Sequence, residues 1–587
     1  MFVHTLFIRI ITVATFCKRA TVFLFCYILI SCSNGDVIDD DGYQWADQIF
    51  QNGKIYTVDD QNPWAEAVAI KGEEIIFVGN AQDVEAYYGP ETIVHNLDGR
   101  VMMPGFIDSH MHAVLGGGYV NALSLDVKAS PEEWIEAIGD YAAEHSELPV
   151  IFGFGFDSAA FGTSEPTKEM IDAVVSDRPV FIMDEGFHTG WSNSKAMERL
   201  AITKETEDPN PGFDYYKRDK NGAPTGWYFE GTSTTAMRDL NVWSVESVAE
   251  GTVKVFDIMN SYGITSVYDA GYFEVSHLAQ DVLKYIDEND LFSVRFVGSQ
   301  LISSPDQVEG ALDKLETQIL MTSDKGYNVR VLKILNDGTV EARSAGMFED
   351  YQGEPGNHGS IMLAEEELTT VVIDAAERGV DVHIHALGER TVHEALNAIE
   401  AAQGAYGESD SRYTICHIQL MAREDVERFA KLNVIAQSTP LWTSYDDLGK
   451  QYVSEDQFNR YYLFKSLKDA GVRLSFGSDY PSSGAGELGM SPIYNIEIGH
   501  TRQYAGQSGA PIQPPIDERL DVPSLIRGYT YDAAYQLHME QEIGSIKEGK
   551  KADFVILNQN PFEADTYKIH KIEVDMTMKG GKVVYER

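Results

Sequence analysis

The chain has 587 residues, more than one hydrophobic core usually serves, and 43% of them are hydrophobic, ordinary for a globular protein. Its 46 Lys and Arg stand against 91 Asp and Glu, a formal net charge of −45. That balance offers no basic face and excludes nucleic acid as an expected partner; it favours a solvated acidic surface and says nothing about fold.

The first residues differ from the rest. Lys18 and Arg19 precede a mostly apolar run, Thr21 to Ile30. The run is too short to span a bilayer as a helix and suits the apolar region of a secretory signal. It ends in Leu29-Ile30-Ser31-Cys32, which resembles a bacterial lipobox. That resemblance implies cleavage before Cys32, a lipid on its thiol, and export to the periplasm or outer membrane, with the membrane touched only through the lipid. An ordinary signal peptide, a signal anchor and a later start are the alternatives. The expected layout is a lipoprotein-type signal over 1–32 and a polar tether over 33–43. Cys17, Cys26 and Cys32 lie in the leader, so Cys416 alone remains in the body. An exported body with one cysteine has no internal disulfide and depends on core burial and metal.

Residues 44–103 read as all-β. Ile49 to Val58 alternates around Asn52-Gly53, a hairpin signal, and Ala67 to Val78 repeats the pattern around Lys71-Gly72. Near the other end, Ala552 to Leu557 is a buried-strand run and Gly580-Gly581 marks another hairpin. Neither end has enough apolar surface alone, so 44–103 and 538–587 are expected to pack as one composite β-sandwich.

Between them, over 104–537, eight apolar runs alternate with amphipathic helical stretches: Pro104–His112, Ile264–Ala270, Ser293–Ser299, Val329–Asp337, Val380–Ala386, Tyr413–Gln419, Asn433–Thr439 and Val472–Asp479. This alternation predicts an α/β fold, a (β/α)8 TIM-type barrel with a buried parallel sheet and its chemistry at the C-terminal strand ends. The first crossover is far too long for one helix. Residues 113–261 are therefore expected to form an insert subdomain after barrel strand 1, with a hairpin near Asn221-Gly222 and a role in covering substrate.

The polar residues at the strand ends carry the chemistry. His110 and His112 sit two apart in an extended strand, so their imidazoles can aim at one point, which suits a divalent transition metal. His385 and His417 end the fifth and sixth strands, and Asp479 ends the eighth, close to a proline that cannot extend it. His383 shares a face with His385 one layer lower and reads as a supporting or packed histidine. Lys333 lies among apolar residues of the fourth strand. Such surroundings disfavour an ammonium, and a neutral amine can take up CO2 as a carbamate that bridges two cations. Pairing with Asp337 or another acid is the alternative.

At this point Pro104-Gly105-Phe106-Ile107-Asp108-Ser109-His110-Met111-His112, His385-Ala386-Leu387-Gly388, His417, Gly477-Ser478-Asp479 and the stretch from Gly544 to Asp553 together resemble the amidohydrolase superfamily. His188-Thr189-Gly190-Trp191, Pro224-Thr225-Gly226 with Glu230, and Asp337-Gly338 are similar to amidohydrolase family 3, the branch of N-substituted formamide deformylases and YtcJ-like hydrolases. The resemblance implies a metal-dependent hydrolase. His110, His112, His385, His417 and Asp479 match its ligand positions and Lys333 its bridging lysine, for one or two divalent ions, zinc first. Glu389, where the branch more often has Asp, is a local departure. A zinc-type ion lowers the pKa of bound water to about 7, and the hydroxide attacks a carbonyl carbon. Asp479 is the expected general base and acid. His188 can polarise the carbonyl or bind the leaving part, Trp191 can wall the pocket, and Arg343 can hold an anionic group; a structural role is the alternative for all three. Hydrolysis of an amide or N-substituted formamide is the leading expectation for this small-molecule enzyme. Deamination and opening of an ester, lactone or cyclic amide are the runners-up, and a cell-surface binding protein with a vestigial site is the non-enzymatic one. No oligomeric state follows from the residues; a homodimer is one option.

Overall fold

The computed structural model describes residues 45–587 apart from 162–163, 186–187, 213, 323–324 and 408–409. The signal, Cys32 and the tether to residue 43 lie outside the described residues.

All eight predicted barrel runs form strands. We label them β1 Phe106–Met111, β2 Ile264–Asp269, β3 Arg295–Ile302, β4 Tyr327–Leu335, β5 Asp381–Ala386, β6 Tyr413–His417, β7 Ile435–Ser438 and β8 Leu474–Phe476. They pair in parallel, each with its neighbour in chain order, in one eight-stranded sheet. The sheet is nearly closed. The Asp479 N–H donates to the His110 carbonyl at 2.8 Å and the His112 N–H to the Tyr480 carbonyl at 2.8 Å, which joins the end of β8 to the end of β1. Every residue of β2, β6 and β7 is buried, as a parallel sheet covered on its outer face requires. Helices such as Glu365–Glu377 and Glu389–Tyr406 supply that cover through Val371, Val372, Leu396 and Ile399.

The insert region starts and ends in helices that pack on one another, Ala113–Tyr119 and Val245–Ser261. Their approach demands glycine: a Cβ on Gly251 would stand 1.9 Å from the Gly117 carbonyl oxygen. Between them lies a separate six-stranded sheet running from Leu123 to Phe229. Its core holds Trp134, Ile138, Phe156, Phe161 and Trp191. The expected turn at Asn221-Gly222 joins two antiparallel strands, Tyr216–Arg218 and Pro224–Phe229.

The two ends of the chain meet in one hydrogen-bonded sheet. Phe554–Leu557 runs antiparallel to Val101–Pro104, and its other edge carries Val574–Lys579 and then Lys582–Glu586. On the far side of Val101–Pro104 come Gln48–Tyr56, Trp64–Lys71 and Glu74–Gly79. Phe50, Val68, Ile70, Met102, Phe554 and Ile556 share its core. The turns at Gly72 and Gly580-Gly581 form as expected. Asn52-Gly53 does not make a hairpin: Gln48–Tyr56 is a single strand with a register shift there. The shift lets the strand change partners, Ile93–Asn96 beside residues 48–51 and Val101–Met102 beside residues 54–55. Asn52 takes φ 62° to do so, as an Asn in a bulge can. Gly53 has no room for a side chain, since a Cβ would lie 2.5 Å from that of Leu97.

Candidate metal centre

His110, His112, Lys333, His385, His417 and Asp479 all line one cavity of about 620 Å³ at the C-terminal ends of the barrel strands. Strand alternation delivers the first pair, as the spacing predicted. His112 Nδ1 is 2.9 Å from the Gly271 carbonyl oxygen. Only an N–H can serve that oxygen, so the proton sits on Nδ1 and Nε2 presents a lone pair to the cavity. His110 Nδ1 is 3.0 Å from His383 Nε2, and its own Nε2 turns the other way. The Nε2 atoms of His110 and His112 each lie 3.3 Å from Asp479 Oδ1.

Several of these atoms are buried with nothing to bond. His417 Nδ1 and Nε2, His385 Nε2 and Asp479 Oδ1 have no hydrogen-bond partner. Orphaned buried polar atoms are costly and rare, and four converging on one cavity fit a set of ligands for a cation. Burial, then the charge of Lys333, holds His110 well below the ordinary histidine range and brings His385 down to about 3. Burial, then His385, does the same for His417. All three are neutral imidazoles, the form that binds metal. Burial pulls Asp479 upward, but its neighbours His112, His417 and Lys333 outweigh it, and the carboxyl ends below its usual range. The ligand atoms of His110, His112 and Asp479 lie within 4.8 Å of one another, as do those of His385, Cys416 and His417.

Lys333 is buried at the floor, with Nζ 3.4 Å from His110 Nε2 and 3.4 Å from Cys416 Sγ. The alternative pairing with Asp337 is not formed. Asp337 instead accepts N–H groups from Leu387 at 3.0 Å, Gly388 at 2.9 Å and Gly346 at 3.1 Å, which fixes the turn after His385. Burial pushes Asp337 up to about 7. The backbone is strained where ligands are presented: His417 has φ 73°, the β-branched Ile418 φ 49° and Asp479 φ 53°.

Two supporting acids escaped the sequence reading. Asp108 accepts from the Ser478 N–H at 3.0 Å and the His110 N–H at 3.1 Å, and so ties the two ligand segments together. Asp269 accepts from Val114 at 2.9 Å and Gly271 at 3.1 Å, and thereby holds the carbonyl that orients His112. A signal existed for both: a carboxylate inside an apolar strand is expensive unless it has a job. His383, read as a supporting histidine, is one.

Three residues expected at the substrate lie elsewhere. Trp191 is 0% exposed and gives its indole N–H to the Thr167 carbonyl at 2.9 Å. It packs on Phe156 and Phe161 as part of the insert core and is no pocket wall in this structure. Arg343 pairs with Glu354 at 2.7 Å and lies over the Tyr452 ring. His188 is 70% exposed, with Nδ1 3.0 Å from Glu230 Oε2. None of the three lines the cavity that holds the metal residues. Glu389 is buried and held by Arg460 and by Gln457, the latter at 3.1 Å, away from His385.

Comparison with known proteins agrees with this geometry. The chain is 27% identical to the putative amidohydrolase YtcJ of Bacillus subtilis, over 92% of this chain and 99% of that one. It is 24% identical to the N-substituted formamide deformylase of Arthrobacter pascens, over 93% and 99%. Among solved structures, an uncharacterised metal-dependent hydrolase from Pyrococcus horikoshii superposes with a TM-score of 0.71 at 25% identity, covering 88% of this chain and 99% of that one. A family model described as the amidohydrolase family matches residues 94–585. With that span of the sequence and a barrel whose strand ends gather residues that could hold a metal, the chain belongs to the amidohydrolase family.

Proposed function

We propose that this protein is a metal-dependent hydrolase that cleaves the C–N bond of an amide or N-substituted formamide. The observation that carries the reading is the orphaned donor set of His385, His417 and Asp479, with His110, His112 and Lys333 on the same cavity. One or two divalent ions, zinc by the chemistry of a nitrogen-and-oxygen donor set, would be held by these residues. When bound, such an ion supplies Lewis acidity and a water made reactive at neutral pH. Asp479, ionised and with Oδ1 3.3 Å from both His110 and His112, would take a proton at Oδ1 and hand it to the departing nitrogen. His112 keeps its direction because Gly271 occupies the opposite ring nitrogen. Lys333, once in its neutral amine form, would add CO2 at Nζ with loss of one proton and could then help hold such an ion; its Nζ is buried among His110 and Cys416 rather than beside an acid. The choice of amides over the other substrates open to this fold rests on the formamide deformylase relative.

Elemental analysis paired with hydrolysis of an amide and formamide panel tests the reading. About one or two equivalents of metal and chelator-sensitive turnover are expected. Stoichiometric metal with no turnover across the panel would favour a binding protein. We further propose that residues 33–43 tether the enzyme to a lipid on Cys32 in an exported location; an unmodified mature N-terminus beyond Cys32 in mass spectrometry would refute it.

A further inference from the structure

With Arg343 drawn off to Glu354, the cavity beside the metal residues has a one-sided charge. Among the described residues that line it, Lys333 is the only lysine and there is no arginine. Lys333 lies at the floor, against His110 and Cys416. Two acids, Glu341 after β4 and Asp446 after β7, line the cavity as well. Both are satisfied within the chain. Gln419 gives its side-chain amide to Glu341 at 2.6 Å, and Leu448 and Gly449 give their N–H groups to Asp446 at 3.1 and 2.8 Å. These acids call for no cation, but they oppose a further negative charge, because like charges brought together out of water repel strongly. A carboxylate on a bound molecule would find no arginine to pair with and two acids on the same wall.

Trp442, Tyr445 and Tyr504 line the same cavity, and the polar ends of their rings are already taken. The Trp442 indole N–H donates to the Ser483 carbonyl at 3.3 Å. That bond ties the segment after β7 to the segment after β8 and fixes the indole between them. The Tyr504 hydroxyl donates to the Tyr445 carbonyl at 2.9 Å, and the Tyr445 hydroxyl accepts from Lys450 Nζ at 2.5 Å. Rings whose N–H and O–H groups are engaged by the chain have carbon faces and edges left to offer a ligand. The Trp442 ring also stands 5.5 Å from the ring of His417, tilted by 41°. The apolar surface therefore begins beside a residue of the metal centre. A volume of about 620 Å³ leaves room for more than the reacting amide.

We propose that Trp442 is a specificity-determining residue: its indole, with Tyr445 and Tyr504, receives a flat uncharged arm of the amide, and the same wall rejects a carboxylate on that arm. This rests on the hydrolase reading for the reacting amide, but binding tests it without turnover. Calorimetry on the metal-loaded full chain carrying Asp479→Asn, which is expected to keep its metal and lose turnover, would compare two pairs of probes. In the first pair, N-[2-(4-nitrophenyl)ethyl]acetamide is set against 4-(2-acetamidoethyl)benzoate, which puts a carboxylate in place of the like-shaped neutral nitro group. The nitro compound is expected to bind at least about tenfold tighter, as like-charge repulsion demands. In the second pair, N-(2-phenylethyl)acetamide is expected to bind about 3–10-fold tighter than N-(2-cyclohexylethyl)acetamide, the weight of an aromatic pair beyond its area. Adding Trp442→Leu should cut that second advantage to within about twofold, since the ring partner is gone, with metal content unchanged. Equal binding of the nitro and carboxylate probes, or an aromatic advantage that survives Trp442→Leu, overturns the proposal. Should the leucine variant fail to fold, photolabelling of the unaltered chain with N-[2-(4-azidophenyl)ethyl]acetamide is expected to mark Pro440–Tyr445 or Tyr504, and label confined elsewhere counts against the site. Turnover separates the two readings. Hydrolysis of none of these amides by the unaltered chain, with both binding preferences intact, would sink the hydrolase reading and leave the arm site standing. Hydrolysis with neither preference would do the reverse.

Discussion

The barrel mouth and the insert sheet bury polar groups in opposite ways. In the insert, the indole N–H groups of Trp134 and Trp191 donate to the carbonyls of Asp126 and Thr167, and the Asn193 amide donates to Val175 and Arg178. At the mouth, His385, His417 and Asp479 bury atoms that nothing in the chain satisfies, on backbone with positive φ at His417, Ile418 and Asp479. The insert also leaves single buried atoms unpartnered, on Arg178, Thr189, Trp227 and Ser233; at the mouth the unpartnered atoms fall on residues that line one cavity. Strain and unmet bonding capacity therefore locate chemistry better than conspicuous residues do. Trp191 draws the eye in the sequence and turns out to be packing.

Four measurements would break or sharpen that contrast. Asp479→Asn should lower kcat by about 10²–10⁴-fold, the usual weight of a general acid–base group, while elemental analysis still finds most of the metal. Near-normal turnover would remove Asp479 from the proton-transfer role. Trp191→Ala should cost about 3–5 kcal/mol in denaturant unfolding of the insert, as for a large core aromatic, with the metal content unchanged. Loss of metal or of small-substrate turnover at full stability would instead make Trp191 part of the site. His383→Ala should weaken metal binding by about 10–100-fold, as removal of an outer partner of a ligating histidine does. Chelator competition reads it, and unchanged affinity would reduce His383 to filler. Gly251→Ala should destabilise by about 1–3 kcal/mol through the clash with Gly117 and shift the melting temperature down without touching metal stoichiometry.

The strands and the residues that meet at the barrel mouth were legible because they rest on local geometry. A run such as Tyr413–His417 has one way to be buried on both faces, and His110 with His112 must share a face if the strand is extended. The insert offered no such handle. Thr189–Ser192 is buried on both sides, so no alternation tells which way Trp191 points; that depends on which sheet it joins. The Asn52-Gly53 signal was ambiguous for a related reason. A hairpin turn and a bulge both ask for positive φ at an Asn, and the choice was made by Ile93–Asn96 and Val101–Pro104 arriving from later in the chain. Asp108 and Asp269 were missed because their partners are backbone N–H groups, which no side-chain pattern announces.

The strand Val101–Pro104 is wholly buried, and one of its two neighbours is Phe554–Leu557. Its partner therefore leaves the ribosome roughly 20–90 s later at ordinary rates of synthesis. Through that interval the nascent polypeptide carries an open apolar edge just ahead of β1, the strand that bears His110. The composite sheet therefore cannot close around Val101–Pro104 until the whole barrel that separates it from Phe554–Leu557 has been made.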